Sequence, residues 1–338
     1  MALATFSNEQ VRVGFLKQAV WGTAESVGSN FKQVSSENVD PTFDIKRRDG
    51  RQQRGLIAPH IDDLAFDENG AMPTLILAGD VRKTELAWWL WAVIQNVSEA
   101  VSTPFVKTFT APDSFPDFDD NAGAFFTIAR DLPPSASGQR FKDMVGRSLT
   151  LTWDAETDRL QFNLEMVGLG ASSIADTFGG TWAREAASFL TWGGTGAQAL
   201  SVATIDFGGG AVNLPLMSFE MVISWDTVQG VGIEAGQFQT LALGQFKATQ
   251  KIKIVKGVLS DTAHANWRSD TAVDTLIGTD ATVDADGEFL IAGHGKIISV
   301  KNMNDAILAT EIEIELAENP GADEMFTIEI ADAQDIIP

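Results

Sequence analysis

The second half of this chain repeats the layout of its first. Residues 35–44 and 217–226 open the two copies as extended segments ending in Asp44 and Asp226. Each copy then runs through a polar, glycine-containing loop to an apolar strand that ends in glycine, 75–79 in the first and 252–257 in the second. A tryptophan-bearing segment follows, with Trp88, Trp89 and Trp91 in one copy and Trp267 in the other. Both copies close on paired alternating strands, 149–167 and 296–316. A chain of this kind folds as two β-units of one plan, and duplicated units are the material of rings and arrays. The expected division is a first unit over 1–175, a glycine-rich connector over 176–210 and a second unit over 211–338.

Strict alternation of apolar and polar residues makes the fold class mainly β. Leu149, Leu151 and Trp153 point one way, and after a polar turn Leu160, Phe162, Leu164 and Met166 alternate with Gln161, Asn163 and Glu165. That is a hairpin with one dry and one wet face. About one helix is expected per unit. The better one spans 83–95 and is apolar nearly all round, so it must be covered on several sides. It either plugs its own domain or places Trp88 and Trp91 under a neighbouring subunit. A weaker counterpart is expected over 263–277, and a short helix over 182–190 within the connector. Glycine pairs in the connector read as flexible or tightly turning chain. Residues 111–120 have no counterpart and read as an insertion or loop.

Charge and composition narrow the function. The 338 residues carry a formal charge of −22, from 46 acidic and 24 basic side chains. Tight, sequence-independent binding of nucleic acid needs lysine and arginine on the phosphates, so this balance argues against it. An enclosed channel in such a protein would repel a polyanion. The 44% hydrophobic content is enough for real cores. Cysteine is absent, which excludes disulfides, thiolate metal sites and a cysteine nucleophile. No signal peptide and no apolar run of about 18 residues is expected.

Motifs for catalysis or metal binding do not assemble. Around Asp284 and Asp286, the first and last EF-hand ligand positions hold Thr282 and Gly293. The loop at 117–123 places its glycine one position late. The segment at 293–296 lacks the first glycine and the Ser or Thr of a P-loop. His60, His264 and His294 show no metal-ligand spacing, and there is no Gly-x-Ser-x-Gly elbow. The expectation is no enzyme, no cofactor and no metal.

Two charged features remain. Lys46, Arg47, Arg48, Arg51 and Arg54 cluster in an acidic protein. They form either a solvated hairpin tip or an arm that docks on an acidic surface of another copy, such as 113–120. Glu311, Glu313 and Glu315 share one face of one strand. They form either a solvated face paired across strands with Lys247, Lys251 and Lys253, or the acidic lining of a pore.

Residues 14–24, with Lys17, Gln18, Trp21, Gly22, Thr23 and Ala24, resemble the opening of tail tube (major tail) proteins of long-tailed bacteriophages. Trp21 stands where those proteins often carry tyrosine, and Lys17 or Gln18 where an acid is common. The extended segment at 35–43, the basic arm at 46–55, the strand and helix at 75–95 and the closing hairpin at 146–168 are similar to the succeeding segments of that family. The resemblance covers most of 10–170 and, more loosely, 212–330. It implies a β-sandwich unit that donates strands to an inner β-barrel, six units to a ring, and rings stacked into a tube. With two tandem units per chain, three copies would close a pseudo-sixfold ring. The implied function is structural, a virion protein assembled in the host cytoplasm. Its implied partners are itself, the tape-measure protein, the tail terminator and distal tail proteins, and double-stranded DNA passing without tight binding; no membrane is implied. The rival class is a soluble or surface β-sandwich binding module, an adhesin or carbohydrate binder. A hydrolase with an unrecognised carboxylate pair is a third.

Overall fold

The computed structural model describes residues 12–34, 42–43, 73–100, 103–114, 124–131, 138–179, 182–184, 189–192, 199–226, 228–234, 237–304, 308–318 and 324–332. The protein is mainly β, with two helices among these residues, α1 (Lys83–Ile94) and α2 (Val258–Ser269). The hairpin expected from alternation is present as the strands Gly138–Asp154 and Leu160–Val167, paired Leu149 to Leu164 and Leu151 to Phe162. Leu149, Leu151, Trp153, Leu160 and Leu164 are fully buried, while Gln161 and Asn163 on the other face are exposed. A pleated strand separates its faces this way without further instruction.

The two halves pair their strands in the same order. In the first, Thr42–Phe43 lies beside Pro73–Asp80, which lies beside Leu160–Val167, which lies beside Gly138–Asp154. In the second, Leu216–Trp225 lies beside Phe246–Val255, then Leu308–Leu316, then Phe289–Asn304. All of these pairings are antiparallel. Each long strand carries a register shift immediately before a serine that faces a glutamate: Ser148 opposite Glu165, and Ser299 opposite Glu313. Each helix starts three residues after its strand ends and runs for 12 residues. A backbone bond closes the same corner in each half, Val81 N–H to the Leu160 carbonyl at 2.8 Å and Lys256 N–H to the Leu308 carbonyl at 2.9 Å.

This register corrects the alignment expected from sequence. Thr42 faces Thr74 and Phe43 faces Pro73, whereas Val222 faces Thr249 and Ile223 faces Ala248. Phe43 therefore corresponds to Ile223, not Trp225. The halves are joined edge to edge, since Ser218–Ser224 pairs with 148–154 of the first half.

Beyond this row, the sheet turns. The first half of Gly138–Asp154 pairs with Phe126–Asp131 and Gly170–Asp176, and Arg12–Lys17 adds to Phe126–Asp131. The first half of Phe289–Asn304 sits between Ala272–Gly278 and Phe326–Asp332. Phe105–Thr110 crosses over to pair with Phe326–Asp332. Between them lies one large core, which includes Trp89, Trp153, Phe219, Ile252, Ile312 and Phe289.

Three local expectations are corrected. The second helix is Val258–Ser269, and Ala272–Gly278 is a strand with Val273, Thr275 and Ile277 buried. Instead of a helix, the described part of 182–190 holds a strand at Ala183–Arg184 and an isolated bridge from Phe189 to Arg82. The connector contributes a strand, Val202–Asp206, to the second half. Its glycine run turns tightly, because Asp206 Oδ1 accepts the N–H groups of Gly208, Gly209 and Gly210 at 2.7, 3.0 and 2.9 Å.

Candidate functional site

The row of paired strands buries one face and leaves the other open, and Glu311, Glu313 and Glu315 project from the open face while Ile312 and Ile314 are fully buried. The three carboxylates do not form an acidic wall. Lys251 lies opposite Glu313 on one side and Glu220 on the other, and Lys253 lies opposite Glu311. Lys251 Nζ donates to Glu220 Oε1 at 3.0 Å, and Lys301 Nζ stands 3.9 Å from Glu311. The hydrogen bond and charge of Glu220, with Glu313 and Glu311 beyond, raise the Lys251 pKa. The described part of the first half carries no Lys–Glu ladder; its open face presents Thr150, Thr152, Gln161, Asn163, Ile76 and Ala78, with the ion pairs Arg147–Glu165 at 3.1 Å and Arg159–Asp80 at 2.7 Å at its two ends.

The row also ends on an open edge. Ala272–Gly278 pairs with Phe289–Asn304 only as far as Lys296. Among the described residues, no strand pairs with 297–304 on the side away from Leu308–Leu316. The equivalent edge of the first half is the one that Ser218–Ser224 occupies. An open edge with free N–H and C=O groups is a template for another strand.

Trp91 is covered by the chain itself, and Trp88 only in part. Trp91 is 7% exposed and meets Phe126 edge-on at 5.9 Å, with Lys17 Nζ 4.7 Å over its ring. Burial lowers the Lys17 pKa. Trp88, half-buried, packs edge-on against Phe15 at 5.8 Å. Lys46, Arg47, Arg48, Arg51 and Arg54 lie outside the described residues. In chain order they fall between Thr42–Phe43 and Pro73–Asp80; in the second half, the hairpin Val228–Glu234 and Gln237–Leu243 fills that interval.

The opening motif forms a buried polar node. Gln18 Nε2 donates to Asp143 Oδ1 at 2.5 Å and to the Val20 carbonyl at 2.9 Å. Gln18 Oε1 accepts from Thr127 Oγ1 and from the Asp143 N–H. Gly22 N–H donates to Asp143 Oδ1 at 2.7 Å, and Trp21 meets Phe125 edge-on at 5.1 Å. Asp143 is distant in sequence and adopts a left-handed conformation, φ 56°; nothing in the motif itself points to it.

Burial raises the Asp143 pKa, against the opposing pull of the Gly22 and Gln18 bonds and the Lys142 charge. A raised acid pKa means that the fold favours the protonated form. Its contribution is therefore fully present below the ordinary aspartate value and is lost as pH rises through the raised one. Asparagine keeps the accepting oxygen and tolerates positive φ. The melting temperature of Asp143→Asn is expected to gain on that of the wild type as pH rises towards neutrality. A constant difference between the two would rule out ionisation of Asp143 as the cause.

A cleft of about 450 Å³ is lined in part by Asp206, Asp274, Thr275, His294 and Glu324. His294 Nδ1 lies 2.6 Å from Asp274 Oδ1. His264 lies on α2 and is not among the residues that line this cleft; His60 is outside the described residues. Among the described residues, no three His, Asp or Glu side chains converge as a metal site. The turn at Asp284 is closed by Glu288 Oε2, which accepts the Asp284 and Ala285 N–H groups at 2.8 Å each. No described helix is long and apolar enough to cross a membrane. The chain matches no protein-family model and no curated protein.

Proposed function

We propose that this chain is a structural subunit that polymerises, edge to edge and then ring on ring, into the tail tube of a long-tailed bacteriophage. The ring is a trimer with pseudo-sixfold symmetry, and its lumen is the conduit for DNA. Within one chain, two four-stranded units already associate by the contact a ring would repeat, and this observation carries the reading. The second unit ends on the same edge, unfilled among the described residues. A heterologous contact that repeats around an axis closes into a ring, and closure removes the exposed edges. The resemblance at 14–24 supports the tail tube as the particular assembly. The mixed Lys–Glu face suits passage of DNA, since neither a basic surface that grips phosphates nor a bare acidic one is presented.

The in-chain seam also sets the register between copies. Val222 faces Thr150 and Ile223 faces Leu149 across it. Carried onto the open edge, Thr42 of one copy stands opposite Lys301 of the next, and Phe43 opposite Val300. Opposed Cα atoms in antiparallel strands lie about 4.5–5.5 Å apart, inside the roughly 4.4–6.8 Å window for a disulfide. The chain has no cysteine of its own. Under oxidation, Thr42→Cys combined with Lys301→Cys is expected to yield covalently closed oligomers, with trimers predominant. Pairing Thr42→Cys with Asn304→Cys, out of register, is expected to cross-link poorly. An uncross-linked monomer at all concentrations would favour the binding-module reading instead.

A further inference from the structure

The two halves differ at one corner. In the first half a segment of the connector fills it. The Leu160 N–H donates to the Leu190 carbonyl at 2.9 Å, and the Leu190 N–H donates to the Val81 carbonyl at 3.3 Å. Leu160 and Leu190 are both fully buried. Phe189 meets two guanidinium groups, Arg82 at 4.1 Å and Arg159 at 4.3 Å from its ring centre. The Trp192 N–H donates to the Asp158 carbonyl at 2.9 Å, and its ring meets Trp153 edge-on.

The second half builds the same corner and, among the described residues, leaves it bare. Lys256 bonds to Leu308 as Val81 bonds to Leu160. No described segment pairs with Lys256 and Leu308 as Leu190 pairs with their counterparts. Val258 is 82% exposed, Leu308 55% and Val255 40%. Gly257 stands where the first half has Arg82, so this corner offers aliphatic surface and no guanidinium there. Grouped apolar side chains left in water signal a missing partner.

We infer that this corner seats an extended apolar stretch of a second copy of the chain, laid in as residues 189–192 are laid into the first half. The inference rests on the ring reading above. The corner is continuous with the open edge, because Leu308 pairs with Asn304, where that edge ends. In the first half, the filling segment leads on to Leu216–Trp225, the strand that occupies the equivalent edge. The copy that joins the open edge is thus the one whose chain passes the corner.

The test is thiol reactivity at position 258 in Val258→Cys, a change at a side chain that is almost wholly in water and so leaves the fold intact. Maleimide labelling is measured in dissociated protein and in isolated single rings. Labelling is expected to slow by about tenfold or more on ring formation, because a packed interface excludes solvent and reagent. Rings that label at the dissociated rate would overturn the corner as an interface while leaving the edge pairing intact. Failure to form any ring, together with failure of the Thr42–Lys301 cross-link, would overturn both.

Discussion

Replacing Trp89 with alanine is expected to destabilise the fold by about 3–5 kcal/mol, the range for removing a large aromatic from a core. Trp89 is fully buried on α1. Its ring stacks on Phe162 at 4.9 Å and meets Phe15 edge-on at 5.1 Å, so one side chain ties the helix to the closing hairpin and to Arg12–Lys17. The indole N–H meets no acceptor among the described residues. Trp89→Phe should therefore keep the stacking, lose no hydrogen bond and cost much less, leaving only a small cavity. Denaturant melts of the three proteins check this. Equal losses for alanine and phenylalanine would mean that the ring stack contributes little.

The second large effect lies one turn further along the same helix. A Cβ added at Gly146 would stand 2.9 Å from the Ala92 carbonyl carbon and oxygen and would collide with Val93 Cγ2. The last turn of α1 therefore rests directly on the sheet backbone. That contact also anchors the second half, because Trp225 Nε1 donates to the Val93 carbonyl at 2.8 Å. Gly146→Val should push the helix away and cost towards the upper end of the roughly 1–3 kcal/mol seen for overpacked cores. Gly209→Ala is the control, since nothing lies within 4 Å of its added Cβ. A Gly146→Val protein as stable as wild type would mean that the helix end is loosely held.

Much of the sheet was legible in the sequence, and its failures have definite causes. The hairpin around 154–159 was readable because alternation there is unbroken. So was α1, whose dense apolar run demands cover. The second helix was misplaced because α2 buries only Ser260 and Ala263 among its residues, leaving almost no apolar stripe to detect. The register of the repeat was off by two residues, from Trp225 to Ile223. A slip of two in a strand keeps every side chain on its face, so pattern alone does not distinguish the two alignments. The open edge, the Asp143 node and the bare corner arise from pairings between distant segments. Local periodicity carries no record of them. The glutamate stripe was visible, and so were the lysines; the pairing of Lys251 with both Glu220 and Glu313 emerges only once three strands are in register.

The tandem arrangement of the two halves has a consequence for variation. When identical subunits repeat around an axis, a substitution in one appears at every position at once. Here the two halves are encoded separately yet present equivalent faces, one of hydroxyls and amides flanked by two arginine–carboxylate pairs, the other laced with Lys–Glu pairs. In the ring proposed above, a single chain would thus place two different surfaces in fixed alternation around an axis, and each could change without forcing the same change on its neighbour.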